Sequence, residues 1–288
     1  MKMKRFVLAM LCMFTLGGAA SAQSPNPTAA SMAPKGTILV VASSQATMEM
    51  KDKSQHDVGF YLNELAVPTE YLADHDYRIV LATPSGEKPL MDASSNDKKF
   101  FNNDDAARAK AVQFVDNLPD ISLKEAGKHL DNYQALFVPG GHAPMTDLMQ
   151  DPQLGAALRD FHAKNKPTAF ICHGPVAALA ALAALPDAAA YRQALVSDDF
   201  SAAQKAAADW IYKGYRMTVF SDAEEWPGEI HSGTMPLHVE QALQIAGAHM
   251  DEGPLYQSHV VRDREVVTGQ NPASDIALAQ TLLAMLEK

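Results

Sequence analysis

Cys172 is the residue whose type and surroundings most strongly suggest chemistry. It lies in Phe170-Ile171-Cys172-His173-Gly174-Pro175, directly after a short apolar run that is typical of a buried strand. A small-residue helix is predicted over 176–184, so the segment predicts a strand, a sharp turn and a helix, the arrangement called a nucleophile elbow. The start of a helix favours negative charge, which predicts a Cys172 sulfur biased toward the reactive thiolate. A buried structural cysteine is the alternative, but the adjacent histidine favours a nucleophile.

A glycine pair follows another predicted strand. Gly140 and Gly141 precede His142, and glycines in such a position allow backbone N–H groups to approach a ligand closely. An oxyanion hole requires such an approach. A plain tight turn is the alternative interpretation.

Carboxylates near two predicted elements could act with the cysteine. Glu64 lies among apolar neighbours on the first predicted helix, either on its solvent face or at the sheet edge with a raised pKa. The acidic segment 220–225 follows a later predicted strand and could orient His173. Acidic runs of this kind are also common in solvated loops.

The N-terminus has the pattern of a cleavable signal peptide. Three cations lie within residues 2–5, an apolar stretch covers 6–16, and residues 20–22 are Ala-Ser-Ala. The apolar stretch is shorter than the about 20 residues that span a bilayer, so we predict cleavage after residue 22. Cleavage would remove Cys12 and leave Cys172 as the only thiol of a periplasmic or secreted bacterial protein.

Composition sets limits on size and partners. The 288 residues include 34 acidic and 24 basic ones, a formal net charge of -10. This acidity argues against nucleic acid or an anionic membrane as a partner, because both attract basic patches. With 47% hydrophobic residues the chain can bury a large core. We predict a signal peptide over 1–22, a disordered leader over 23–36, and one domain over 37–288 with an insertion at about 84–130.

Apolar β-rich runs alternate with helical patterns, as they do in parallel βαβ units. The predicted strands cover 37–42, 78–83, 135–138, 168–171 and 217–220. The predicted helices cover 58–75, 104–116, 152–165, 176–184, 237–246 and 272–286, and a hairpin is predicted over 259–268. This order predicts an α/β fold in which helices sandwich a doubly wound, mostly parallel sheet that binds ligands at the carboxyl ends of its strands.

Four ordered motifs resemble the ThiJ/PfpI family of class I glutamine amidotransferase-like proteins. They are Glu64-Leu65-Ala66-Val67-Pro68, Val138-Pro139-Gly140-Gly141-His142, Ala169-Phe170-Ile171-Cys172-His173-Gly174-Pro175 and Val267-Thr268-Gly269-Gln270-Asn271-Pro272-Ala273-Ser274. The resemblance spans roughly residues 37–286 and is greatest to the branch of large glutathione-independent glyoxalases (glyoxalase III) and heat-shock chaperones. It implies the flavodoxin-like fold of that superfamily.

The resemblance also implies roles for particular residues. Cys172 would be the nucleophile, His173 its acid/base neighbour and Glu64 the carboxylate beside the sulfur. The third member of the family's triad is an acid of variable position, for which Asp222 is our first choice and Glu225 the second. The residues expected to bind the substrate or its oxyanion are Gly140, Gly141, His142 and Gly174.

The implied activity is enzymatic, although members of the family are described variously as glyoxalases, deglycases, chaperones and peptidases. We predict a D-lactate dehydratase type of glyoxalase that converts methylglyoxal or a similar 2-oxoaldehyde to a 2-hydroxy acid through a cysteine hemithioacetal. The histidines are scattered and lack the His-Glu-x-x-His pattern, so no metal or other cofactor is expected. The expected partner is a small aldehyde, and a homodimer is left open.

Two other classes of function stay open. A cysteine amidase or peptidase would use the same thiol, and His238-Val239-Glu240 is similar to the His-x-Glu pair of amidotransferases, but it lies in a helical pattern. A periplasmic holdase chaperone would use exposed apolar surface and would not need Cys172. The chain departs from the family motifs at Val58 and at 143–146, so the resemblance implies the chemistry more directly than the substrate.

Overall fold

A computed structural model describes residues 33–182, 185–225 and 235–288. The signal peptide predicted over 1–22 and most of the leader predicted over 23–36 lie outside the described residues. Among the described residues, no helix combines the length and the apolar character that a bilayer crossing requires.

The secondary structure follows the predicted alternation. The strands are β1 (Gly36–Val41), β2 (Thr47–Glu49), β3 (Gln55–Asp57), β4 (Tyr77–Thr83), β5 (Asp120–Ser122), β6 (Ala135–Val138), β7 (Thr168–Ile171), β8 (Arg216–Met217), β9 (His249–Met250), β10 (Val260–Asp263) and β11 (Val266–Gly269). The α-helices are α1 (Leu62–Ala73), α2 (Asp105–Asp116), α3 (Leu123–Ala126), α4 (Pro152–Ala163), α5 (Leu185–Val196), α6 (Phe200–Ala206), α7 (Asp222–Glu225), α8 (Val239–Ala246) and α9 (Asp275–Leu286).

Seven of the described strands form a central sheet in the order β10-β11-β7-β6-β1-β4-β5. Neighbouring strands are parallel, except for β10 and β11, which form the predicted antiparallel hairpin at one edge. The chain passes from β1 to β4 on one side and later to β6 on the other side. The sheet is therefore doubly wound, with its switch point beside β1, and the predicted fold class is confirmed.

Both faces of the sheet are covered. Along β1, Leu39 and Val41 point into one hydrophobic core, while Ile38 and Val40 point into the other. Residues of α4, α5 and α8 complete the first core, and residues of α1, α2 and α9 complete the second. Because both faces are buried, the central strands are continuous apolar runs, which is why they could be predicted from the sequence.

Two predicted elements differ from the structure. The strand predicted over 217–220 is limited to β8, which pairs with β9 in a separate two-stranded sheet. The hairpin already occupies the place beside β7, and the Thr218 N–H donates instead to the Thr268 side-chain oxygen at 2.8 Å. The α-helix predicted over 176–184 is a 3-10 helix, Gly174–Ala181, whose residues are all buried.

The stretch 84–130, predicted as an insertion over one face, also contributes to the central fold. Its strand β5 extends the sheet beside β4, and its helix α2 buries Ala111 and Val115 in the core that α1 shares. Ser95 accepts a hydrogen bond of 3.0 Å from the Leu62 N–H at the start of α1. This stretch therefore supports the helix that carries Glu64.

Candidate active site

Cys172 occupies a strained turn directly after β7. Its φ is +60°, a left-handed conformation that costs a residue with a side chain about 1–2 kcal/mol. Its N–H donates to the Gly269 carbonyl at 2.9 Å, and its carbonyl accepts from the Phe220 N–H at 3.0 Å. These two bonds hold the turn, so the sulfur lies at the carboxyl edge of the sheet in the predicted nucleophile elbow.

His173 connects the sulfur with a buried carboxylate. Its Nδ1 lies 3.2 Å from the Cys172 Sγ, and its Nε2 lies 2.6 Å from the Glu225 Oε2. An ionised carboxylate can only accept, so Nε2 carries the proton of the neutral ring and Nδ1 faces the thiol as an acceptor. Phe220 stacks on the ring, with the two centroids 5.0 Å apart, and holds its orientation.

Glu225, and not Asp222, lies against His173. The chain forms the short helix α7 after Phe220, and this turn brings the Glu225 carboxylate to the histidine with its side chain only 8% exposed. The Asp222 side chain is 48% exposed, and its Oδ1 lies 3.6 Å from the His238 Nδ1. Our first choice for the orienting acid is therefore wrong, and the second choice has the required geometry.

His142 contacts the same carboxylate from the other side. Its Nε2 lies 3.3 Å from the Glu225 Oε1, and its ring centroid lies 4.3 Å from that of His173. Each oxygen of Glu225 therefore faces one histidine ring. His142 also lines a cleft of about 660 Å³ whose wall includes Val58 and Met91. It is therefore the member of the cluster that reaches an open cleft.

The histidine cluster is also where the described residues could hold a metal ion. Ligand atoms of His142, His173 and Glu225 all lie within 4.8 Å of one another. The carboxylate has a hydrogen-bond partner in each ring, which accounts for its burial as an anion.

Three glycines allow close packing at this edge of the sheet, two of them beside the sulfur. A Cβ on Gly140 would lie 2.6 Å from the Cys172 Cβ and closer still to the Glu64 Oε2. Gly141 has a φ of +86°, and its backbone N–H lies close enough to the sulfur to lower the pKa of Cys172. A Cβ on Gly174 would lie 2.6 Å from a carbonyl oxygen at the end of β6. Gly140 and Gly141 thus lie beside the thiol, whereas Gly174 packs against the end of β6.

Glu64 is held as a neutral acid. It is fully buried on α1, and neither of its carboxyl oxygens makes a hydrogen bond of good geometry with the described residues. Burial raises the pKa of Glu64 well above its usual range, and the charge of Asp275 adds to this. The nearby Cys172 thiol and Gly140 N–H lower the pKa only in part. Glu64 therefore carries a transferable proton beside the sulfur.

Burial also shifts the pKa values of the other titratable groups in the site. Burial raises the pKa of Cys172, and repulsion from Glu64 adds to this whenever that carboxyl is ionised. The predicted bias toward a thiolate is therefore wrong for the resting site. Burial, followed by the neighbouring His142, lowers the pKa of His173, so its ring stays neutral. Burial opposes ionisation of Glu225 as well, but the two histidine rings outweigh it and hold its pKa low.

Comparison with known proteins identifies the family. Residues 58–285 match the sequence pattern of the DJ-1/PfpI family. The chain belongs to that family. This confirms the resemblance seen in the four motifs, and it agrees with the thiol at a nucleophile elbow.

Individual DJ-1/PfpI relatives cover most of the chain. The protein/nucleic acid deglycase HchA of Pseudomonas aeruginosa is 26% identical over 257 residues, which are 85% of this chain and 80% of the relative. The glutathione-independent glyoxalase hsp3101 of Schizosaccharomyces pombe is 25% identical over 263 residues, 88% of this chain and 96% of the relative. The crystal structure of glyoxalase III from Candida albicans shares the fold, with a TM-score of 0.59 at 20% identity over 87% of this chain and 97% of that one.

Sequence reasoning missed two residues behind the site. Asn63 and Asp275 are buried and hydrogen bonded to each other, and Asp275 influences Glu64. The available signal was a carboxylate directly after the fourth motif, at the start of a strongly apolar helix. A carboxyl group in that position lies either on the solvent face of the helix or in a buried place where it needs a polar partner.

Proposed function

We propose that the protein is a glutathione-independent glyoxalase that converts methylglyoxal, or a similar 2-oxoaldehyde, to a 2-hydroxy acid. The observation that carries this proposal is the placement of a thiol, a neutral base and a neutral acid around one point, in Cys172, His173 and Glu64. Family membership supports an enzyme of this kind, since one relative is named as a glyoxalase and another as a deglycase.

The first step adds the Cys172 sulfur to the aldehyde carbon. The thiol proton moves to His173 Nδ1, 3.2 Å away, as the S–C bond forms and the carbonyl electron pair moves onto the aldehyde oxygen. Glu64 donates its proton to that oxygen. The products are a hemithioacetal, an imidazolium stabilised by Glu225 and a Glu64 carboxylate.

The second step moves a proton between the two carbons. The Glu64 carboxylate removes the hydrogen of the former aldehyde carbon as a proton, and the electron pair forms the double bond of an enediolate. The imidazolium protonates the former ketone oxygen. Glu64 then protonates the former ketone carbon and takes back the proton of the other hydroxyl group, which leaves a thioester of the 2-hydroxy acid. Backbone N–H groups near Gly141 and His173 stabilise the oxyanions.

Hydrolysis of the thioester completes the cycle. Nδ1 of His173 takes a proton from water as the oxygen attacks the carbonyl carbon, and the C–S bond breaks. The sulfur then receives the proton from the imidazolium. The sum is one methylglyoxal and one water converted to one lactic acid, with every protein group returned to its resting state.

The decisive assay mixes purified protein with methylglyoxal in the absence of glutathione and measures lactate. We expect lactate from the wild type, none from Cys172→Ala, and a loss of about a hundredfold or more from Glu64→Gln, which keeps the shape of the acid but cannot carry the proton. Chelation with EDTA should leave the rate unchanged, since no step uses a metal. If Glu64→Gln turned over as fast as the wild type, the proton transfers assigned to Glu64 would have to be assigned to His173.

Protein deglycation is a second candidate, favoured by the relative named as a deglycase. Lactate release from a purified methylglyoxal adduct, in the presence of a scavenger that removes free methylglyoxal, would support it. The absence of lactate in both assays would refute both activities. Suppression of aggregation with and without Cys172 would then support a holdase chaperone.

We also propose export of the protein, on the evidence of its first 22 residues. Mass spectrometry of periplasmic material should find a mature N-terminus at Gln23. An intact Met1, or a lipid attached to Cys12, would contradict this.

A further inference from the structure

One carboxylate orients two histidine rings that face different surroundings. The Glu225 Oε2 lies 2.6 Å from the His173 Nε2, and the Glu225 Oε1 lies 3.3 Å from the His142 Nε2. The His173 side chain is only 4% exposed, and its Nδ1 faces the Cys172 sulfur. The His142 side chain is 18% exposed and lines the cleft of about 660 Å³. The site therefore contains a second oriented histidine, on the side that is open to small molecules.

The second ring nitrogen of His142 is an open acceptor. An ionised carboxylate only accepts hydrogen bonds, so the Nε2 that faces Glu225 carries the proton of the neutral ring, and Nδ1 has a lone pair. Nδ1 has no hydrogen-bond partner in the described part of the chain and, unlike the oxygens of Glu64, it is not sealed from solvent. Both histidine rings turn Nε2 toward one carboxylate, so both Nδ1 atoms lie on the ring edges away from it.

The chain segment around His142 fixes its place between the sulfur and the cleft. His142 follows Gly141, which turns the chain with a φ of +86° and whose N–H lies close enough to the sulfur to lower the pKa of Cys172. A Cβ on Gly141 would collide with the Gly59 carbonyl oxygen, so this backbone packs directly on the stretch that follows Val58 in the cleft wall. The ring therefore borders the thiol site on one side and the cleft on the other.

Hydrolysis of a thioester at Cys172 needs a water molecule held in a confined place. A water molecule in such a place needs an acceptor for each of its hydrogens, because a buried donor without a partner costs about 1–3 kcal/mol. The His173 Nδ1 can take one hydrogen, since an acylated sulfur no longer offers a proton to that nitrogen. The second hydrogen needs another acceptor on the side of the cleft.

The other polar residues of the cleft are bonded elsewhere or exposed. Ser94 donates its N–H and its hydroxyl group to the Asp92 Oδ1, at 2.8 and 2.7 Å. Asp57 is exposed at the end of β3, and His56 has a partner of its own. Of the described residues that line this cleft, His142 is the one that the carboxylate of the site orients.

We propose that His142 is a catalytic residue of the hydrolysis step, in which its Nδ1 holds the water molecule that attacks the thioester. One hydrogen of this water is bound by the His142 Nδ1 and stays on the oxygen. The other passes as a proton to the His173 Nδ1 as the oxygen attacks the carbonyl carbon and the carbonyl electron pair moves onto its own oxygen. That pair returns as the C–S bond breaks, and the sulfur takes the proton back from His173. Release of lactate by this step rests on the proposed function, but any acyl group on Cys172 needs the same water.

The test uses p-nitrophenyl acetate, which acylates a cysteine nucleophile without any glyoxalase chemistry. The wild type should release a fast burst of p-nitrophenolate as Cys172 is acetylated, followed by a slow phase that reports hydrolysis of the acetyl thioester. In His142→Gln, the amide nitrogen can still donate to Glu225, but the acceptor that faces the cleft is lost. The burst rate should stay near that of the wild type, whereas the slow phase should fall on the order of a hundredfold, the cost of a reactant misplaced by about 1 Å.

The controls separate this role from structural damage. Leu90→Ala changes an exposed side chain of the same cleft and should alter neither phase. Cys172→Ala should abolish the burst, and mass spectrometry should find the acetyl group on Cys172 of the wild type. If His142→Gln does not fold, His142→Phe keeps a ring against His173, lacks both nitrogens and carries the same expectation for the slow phase. All assays contain EDTA, because the same cluster could hold a metal ion.

The two phases give outcomes that can be told apart. Equal slow phases in a folded His142→Gln protein and the wild type would overturn the inference. A parallel fall of both phases would also overturn it, since His142 would then act by supporting Glu225, and so would a wild type that lacks either phase. Absence of lactate from methylglyoxal, together with the expected change in the slow phase alone, would refute the proposed glyoxalase but leave the role of His142 in hydrolysis in place.

Discussion

Replacement of Gly140 by alanine should disable the site by the addition of one methyl group. The new Cβ would lie 2.6 Å from the Cys172 Cβ, 2.9 Å from the Ile171 carbonyl oxygen and closer still to the Glu64 Oε2, whereas ordinary contact begins at 3.4 Å. The carbonyl belongs to β7 and cannot move easily. The Glu64 carboxyl group must therefore retreat by about 1 Å and the Cys172 turn must shift as well, because the new Cβ lies too close to both.

The size of the effect follows from this displacement. A misplacement of about 1 Å between reacting groups costs on the order of a hundredfold in rate. An extra methyl group in a filled site costs about 1–3 kcal/mol of stability, and each kcal/mol lowers the Tm of a domain of this size by about 2–4 °C. Gly140 does not have a positive φ, so the backbone itself accepts alanine. We expect a folded protein with little activity.

Gly127→Ala is the matched control. Gly127 follows α3 with a φ of -61°, and its new Cβ would have its nearest neighbour at 3.9 Å, so Tm and turnover should stay near the wild type. Lactate formation, Cys172 alkylation and thermal unfolding are measured for both variants. A folded Gly140→Ala protein with wild-type turnover would show that Glu64 need not lie beside the sulfur, and would remove it from the mechanism.

Three further substitutions test the assignments. Glu225→Gln should lower turnover by about a hundredfold or more while Asp222→Asn, on the same short helix, stays near the wild type, and equal losses would contradict the choice of acid. Cys172→Gly should unfold at or above the Tm of Cys172→Ala, because only glycine avoids the cost of about 1–2 kcal/mol at this φ, and a clearly lower Tm would argue against a strained elbow. Burial, followed by a hydrogen bond with Glu252, raises the pKa of Glu240 to about 7 from 4.5. An acid with a raised folded-state pKa contributes stability that is present below pH 4.5 and is lost as the pH rises to about 7. Glu240→Gln should therefore flatten the fall of Tm over this range. Parallel curves of Tm against pH for the variant and the wild type would refute the assignment.

Features set by neighbouring residues could be predicted from the sequence. The strand, turn and histidine around Cys172 are contiguous, so the elbow and the contact with His173 follow from local geometry. The central strands could be predicted because both sheet faces bury apolar side chains. The position of Glu64 in the site was predicted from its family motif. The local pattern alone, a carboxylate among apolar residues on a helix, is compatible with either a buried or an exposed side chain.

Features that depend on packing between distant segments could not be predicted in the same way. The choice between Asp222 and Glu225 depends on a single helical turn after Phe220, and on which side chain that turn presents to a histidine 52 positions away. Asp275 meets Asn63 across 212 positions, and no local pattern records that contact. The strand predicted over 217–220 failed for a similar reason, because the place it would fill belongs to the hairpin.

The protonation states explain why a deeply buried thiol can still be a nucleophile. A thiolate at Cys172, a carboxylate at Glu64 and the anion of Glu225 together would place three negative charges in one dry cavity, which burial strongly disfavours. The structure instead keeps charge at rest on Glu225, which faces two histidine rings, and keeps protons on the thiol and on Glu64. Charge then appears only as the S–C bond forms, when the thiol proton reaches His173 beside Glu225 and the Glu64 proton reaches the substrate. The burial that opposes a resting thiolate therefore also supplies the acid that the proposed reaction needs, and this is why Glu64 has to stay protonated at the pH of turnover.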